Sequence, residues 1–172
     1  MSNLEEYRDP ILKALIDKLE AEGPPELVGH YIYGDTLAPN KSDLPVVSVA
    51  RDGTNVVSDG TMLDRHVQPI VIALIVDWTI DLDQSFDLTR GTNKLYRLVE
   101  ERNADFSLKE KTLAYVLRKN QKLADNLFIS IRDTGLMIDY GLGVEKRGDN
   151  IFSAEGIIRF NIESTQQKPG LY

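Results

Sequence analysis

The chain has 172 residues, 42% of them hydrophobic and 27% charged, enough for one domain with its own core and too apolar for a disordered segment. It has no cysteine, which removes disulfides, thiolate metal sites and cysteine nucleophiles, and 27 acids against 20 bases give a formal charge of −7. That balance argues against a broad basic surface for nucleic acid.

Asp9-Pro10 followed by ILKALIDKLEAEG reads as a helix cap, a proline at the first helical position and a glycine past the end, so a helix over Pro10 to Glu22 is predicted. Ile11, Leu12, Leu15 and Leu19 share one face of it. The polar, acidic start MSNLEEYRDP has neither the basic region nor the apolar stretch of a signal peptide, so synthesis in a cytosol is expected. A short extended piece near Leu27 to Tyr33 and the β-branched run Leu44 to Arg51 follow, separated by turn residues. Two more turn signals, in Arg51 to Asn55 and Ser58 to Thr61, predict a loop arm over about 51–65.

PIVIALIVDWTIDLD, Pro69 to Asp83, carries an unbroken apolar row at even positions, Ile70 through Leu82, as a long strand with one buried face would. Its odd row is apolar at Val71, Ala73 and Ile75 and polar at Asp77, Thr79, Asp81 and Asp83, so cover on both faces is expected early and water or a partner on one face late. A second helix is predicted from about Leu88 to Arg102, and Ser107 with Glu110 reads as a capping box opening a third helix to about Lys119. NLFISIR, LMIDYG and NIFSAEGIIRFNIES are strands, and STQQKPGLY, 164–172, is expected to be a flexible tail. Together these elements predict a single α+β domain over 1–172, mainly an antiparallel β-sheet with the N-terminal helix and two further helices packed on it.

The chemistry-bearing residues do not form a reactive set. Asp77, Asp81 and Asp83 alternate along a strand, but no second acidic motif completes a cation site. His30 and His66 stand alone in their segments, no serine sits in a G-x-S-x-G elbow, and Gly141 and Gly143 lack the third glycine and following helix of a phosphate loop. Neither catalytic, metal nor cofactor-binding residues are expected, and the longest apolar run, Val67 to Val76, is too short to span a membrane as a helix.

The layout resembles the tail terminator proteins of long-tailed bacteriophages. The resemblance rests on the N-terminal helix, LPVVSVAR, the arm Asp52 to Asp64, PIVIALIVDWTI, the helix bearing LYRLVEERN, and the pair LMIDYG with SAEGIIRFNIES. It implies a structural protein and not an enzyme: six copies form a ring at the tail–neck junction of the virion, ending tail-tube growth and docking the neck. The partners so implied are other copies of the chain, the tail tube protein, a neck or head completion protein, and genome DNA that passes through without specific binding. Arg51, Asp52, Asn55, Asp59, Asp64, Arg65, Gln166, Gln167, Lys168 and Tyr172 are the candidate interface residues, because arm and tail are too polar for a core. Asp77, Asp81, Asp83 and Glu155 are the candidate acids of the channel wall. Another head–tail connector or completion protein, a small metal-dependent enzyme using the aspartates, and a module that dimerises through its sheet are the alternatives.

Overall fold

In a computed structural model of the chain, residues 9–34, 41–58, 63–77, 90–131, 135–141, 145–146 and 152–167 are described. Helix α1 spans Pro10–Glu22, and its ends follow from local chemistry. The Asp9 carboxylate accepts from the N–H groups of Ile11 (3.0 Å) and Leu12 (3.4 Å), two amides that have no partner within the helix. At the other end the Gly23 N–H donates to the Leu19 carbonyl at 2.8 Å. Leu12, Leu15, Ile16 and Leu19 are buried along one stripe.

The sheet is built on two long antiparallel strands, β4 (Leu63–Asp77) and β9 (Phe152–Gln167), paired from Leu63 opposite Gln167 to Asp77 opposite Ser153. Shorter strands line both outer sides of this pair. Along β4 run β2 (Val46–Arg51), opposite Ile75 to Ile70, and β3 (Asn55–Ser58), opposite Val67 to Asp64; β1 (Tyr31–Tyr33) adds in parallel to β2. Along β9 run β6 (Leu127–Ser130), β7 (Met137–Tyr140) and β8 (Glu145–Lys146), with β5 (Lys122–Ala124) outside β6. The described residues thus form one nine-stranded sheet, antiparallel except for β1 on β2.

The remaining helices are α2 (Arg90–Val99) and α3 (Leu113–Lys119), and the α+β domain follows from what they cover. Ile70, Ile72, Leu74 and Val76 of β4, with Val47 and Val49 of β2 and Ala154, Ile158, Phe160 and Ile162 of β9, share one face. Against it pack the apolar stripes of α1, Leu95, Leu98 and Val99 of α2, and Leu113, Val116 and Leu117 of α3. Trp78 lies outside the described residues.

Four expectations are corrected. The arm over 51–65 is a hairpin and not a loop: Arg51 ends β2, Asn55–Ser58 form β3, and Leu63 to Arg65 begin β4. Gly53, at φ 86°, stands between β2 and β3, which follow one another along the same side of β4. The tail expectation fails over Ser164 to Gln167, which continue β9 against Leu63 to His66, and residues 168–172 lie outside the described residues; backbone pairing holds a polar segment that hydrophobic periodicity cannot reveal. The third helix starts at Leu113, capped by the Thr112 hydroxyl accepting from the Tyr115 N–H at 3.3 Å. Ser107 does not cap it: its hydroxyl oxygen accepts from the Asn103 amide at 3.0 Å, its N–H and hydroxyl donate to the Asp105 carboxylate at 3.0 and 2.6 Å, and Lys111 at φ 64° breaks the backbone before α3. Finally, the late odd row is not wet at Asp77, which is 2% exposed beside buried Ile75 and Ser153, whereas Val71 and Ala73 are only half-buried.

Where α1 and α3 end together, Glu22 accepts from Lys18 (3.3 Å), Lys119 (3.0 Å) and the Asn120 amide (3.1 Å). Those three bonds, led by Asn120, hold its carboxyl down at about 2 against an ordinary 4.5. A depressed carboxyl stabilises the fold fully above its unfolded value and loses that contribution as the pH falls through the folded one. Thermal midpoints of wild type should therefore fall between pH 4.5 and about 2 more steeply than those of Glu22→Gln, which lacks the titration; parallel profiles would remove this clamp from the account.

Candidate interaction surface

Three features could meet a partner: the face of the sheet away from the helices, the arm, and the side of the sheet formed by β6 and β7. On the helix-free face the register of β4 and β9 places Val71 opposite Arg159, Ala73 opposite Ile157 and Ile75 opposite Glu155. Arg159 bonds Asp139 of β7 at 2.6 Å, and Arg65 lies 3.5 Å from Glu163, so cross-strand ion pairs flank the half-buried apolar centre. Both pairs are partly exposed and contribute little to stability. Their effect is to keep this part of the face charged, with no helix among the described residues over it.

The arm is a three-stranded extension of β3, the start of β4 and the end of β9. It joins residues that the sequence separates by about a hundred positions: Asp64 stands between Ser58 and Gln166, and Leu63 opposite Gln167. Asn55 is opposite Val67, and Arg65 is between Val57 and Thr165. Asp52 is exposed where β2 gives way to β3, with its N–H donating to the Pro69 carbonyl at 2.9 Å. Arg51 has a different position from the one expected, since it pairs with Asp9 at 3.2 Å and ties β2 to the cap of α1. Asp59, Lys168, Tyr172, Asp81 and Asp83 lie outside the described residues.

Of the proposed channel acids, Asp77 and Glu155 fall on the same face of neighbouring strands, as their register requires. Glu155 is half-buried, but Asp77 sits in a closed corner where its surroundings engage it, and it offers no carboxylate to the surface. His30 lies 3.4 Å from the Asp43 carbonyl through Nδ1, and His66 stands between Val56 and Ser164; among the described residues no group of three metal-ligating side chains forms. No helix among the described residues is long and apolar enough to cross a membrane.

The side of β6 and β7 carries features that the sequence pattern did not reveal. Phe128 of β6 and Met137 of β7 are 41% and 56% exposed, and Phe106, in the loop after α2, is 80% exposed. Phe106 occupies a left-handed conformation, φ 65°, which a bulky residue rarely adopts. A closed hydrogen-bond ring enforces it: the Asn103 N–H donates to the Ser107 carbonyl (2.9 Å), the Phe106 N–H to the Asn103 carbonyl (2.9 Å), and Arg102 Nη1 to the Phe106 carbonyl (3.0 Å). The two bonds from Ser107 hold the Asp105 carboxyl below the usual range, keeping it charged as their acceptor. The only advance signal is the pair Asn103 and Asp105, both turn formers, immediately ahead of an aromatic residue. Glu100, at the end of α2, accepts from the Tyr140 hydroxyl at 3.1 Å and so fixes this loop beside β7. A hollow of about 230 Å³ lies beneath it, lined by Arg102, Leu108, Arg118, Leu136 and Ile138, smaller than the roughly 300–1,000 Å³ of a small-molecule pocket.

No protein-family model matches this chain, and no curated protein matches it.

Proposed function

We propose that the chain is the subunit of a tail-terminator ring, a structural part that closes on itself, caps a phage tail tube and presents its other side to the neck. The observation that carries this reading is the way the segments behind the resemblance combine. β2, the arm, β4 and the β7–β9 pair are parts of one sheet that α1 and α2 cover on one face and that the arm extends at one end. A ring subunit needs a rigid body, two sides for its neighbours and a projection toward the tube, and these elements supply them.

In this arrangement the helix-free face turns toward the channel and the arm toward the tube. The −7 charge of each subunit, repeated around the ring, repels the phosphates of a passing genome. Of the acids named for that wall, Glu155 is the one the described residues leave partly accessible, and Asp139 and Glu163 share its face in ion pairs with Arg159 and Arg65.

Added to tail tube protein polymerising in solution, the purified chain should bind tube ends and arrest elongation, and Glu155→Lys rings should do so while acquiring salt-sensitive DNA binding. Tubes that grow at an unchanged rate, with the protein absent from their ends, would sink the reading. Rings that ignore tubes but bind a head portal would instead identify a connector.

A further inference from the structure

The sheet changes character at one cross-section, between Ile70 and His66 of β4. On the face that carries the core, the apolar rows of β4 and β9 stop at Ile70 and Ile162, and the next positions outward are Gln68 and Ser164. Both are buried, 4% and 7% exposed, yet among the described residues neither the Gln68 amide oxygen nor the Ser164 hydroxyl has a hydrogen-bond partner. A buried polar group without a partner costs free energy that exposure to water returns. His66, directly opposite Ser164, is half-buried, and Gln166 beyond it is exposed.

The backbone supports stop at the same place. β2 ends at Arg51 opposite Ile70 and β3 starts at Asn55 opposite Val67, so Gln68 and Pro69 lie opposite neither strand. Gly53, at φ 86°, turns the chain across that gap, and the Asp52 N–H donates at 2.9 Å to the carbonyl of Pro69, a residue with no N–H of its own. On the other side β6 reaches outward no further than Leu127, opposite Ser164.

We infer that this cross-section is a hinge: β3 and the outer ends of β4 and β9 open and tilt as one unit on a body that stays folded. Gln68 and Ser164 lower the cost of the motion, because both gain water when it occurs. Hinges are a few positions that absorb backbone change between more rigid parts, and a unit with little apolar burial opens at less cost than the core. The β4–β9 ladder runs unbroken through the section, so the arm stays attached while it moves. The hinge belongs to the single subunit and does not depend on the ring reading above.

Hydrogen exchange of the intact chain, followed residue by residue by NMR, tests this. The ladder amides of Asn55 to Ser58, Leu63 to Val67 and Thr165 to Gln167 should exchange at one common rate, faster than those of Ile70 to Val76. Gln68→Met combined with Ser164→Ala removes both unpaired groups with little change of shape, and should slow exchange in the arm about tenfold. Rates graded from Leu63 inward would mean simple fraying of the end and would overturn the hinge. So would an arm as slow as Ile70 to Val76, or an arm whose rate the two substitutions leave unchanged. The wild-type rates decide alone if the double variant does not fold.

Discussion

Ile72→Asp should leave the protein unfolded at room temperature. Ile72 is 0% exposed in the centre of β4, between Val49 of β2 and Ile158 of β9 and under the helix layer. The substitution removes a buried aliphatic side chain, about 1.5–3 kcal/mol, and introduces a carboxylate with no cation on that face. An uncompensated buried charge costs about 3–5 kcal/mol, so the sum approaches the whole stability of a domain, about 5–15 kcal/mol. Val71→Asp, one residue away, is the control. Its side chain is half-buried on the helix-free face opposite Arg159, a cation that already pairs with Asp139 and lies close enough to offset a second carboxylate. Circular dichroism should show Val71→Asp folded and Ile72→Asp not; two equally folded proteins would refute the assignment of faces.

Gly23→Ala should be the most damaging of the small substitutions. A Cβ at position 23 would stand 2.4 Å from the Leu19 carbonyl oxygen and 3.2 Å from the Tyr31 hydroxyl. The first contact is with backbone, so the chain itself must move. That movement disturbs the Gly23 N–H bond closing α1 and the bond from the Tyr31 hydroxyl to the same carbonyl at 3.4 Å. Tyr31 is 1% exposed, and its burial pushes its phenol well above the ordinary range, so it stays a neutral donor. Forced overpacking of this kind costs about 1–3 kcal/mol, and each kcal/mol is worth roughly 2–4 °C in a chain of this size. Calorimetry should find the loss in Gly23→Ala and a smaller one in Tyr31→Phe. An unshifted midpoint for Gly23→Ala would mean that α1 does not end against Tyr31.

What could be read from the sequence is what neighbouring residues decide among themselves. The ends of α1 follow from Asp9, Pro10 and Gly23, and the buried face of β4 from the period of its even row. The errors occur where a distant segment decides. Gln166 and Gln167 look like tail residues until Leu63 and Asp64 are laid beside them, and turn formers around Gly53 and Ser58 do not reveal that Asn55–Ser58 will pair with β4. Ser107 fits a capping box, but Asn103 engages its hydroxyl oxygen and Asp105 its N–H and hydroxyl donors, both from within four residues. Of the polar candidates, Asp52, Asn55, Gln166 and Gln167 are exposed, Asp64 and Arg65 are half-buried, and Arg51 pairs with Asp9 at the cap of α1. Phe106 was not legible, because an aromatic residue between helices reads as core, and a left-handed backbone leaves no periodic trace.

The two sides of the sheet, the arm and the helix-free face all derive their meaning from closure into a ring. Negative-stain electron microscopy of the purified protein, over a series of concentrations, tests that closure directly. The account predicts ring-shaped particles with six-fold symmetry and an open centre, increasing with concentration. Particles that remain single subunits or two-fold dimers throughout the series would contradict it.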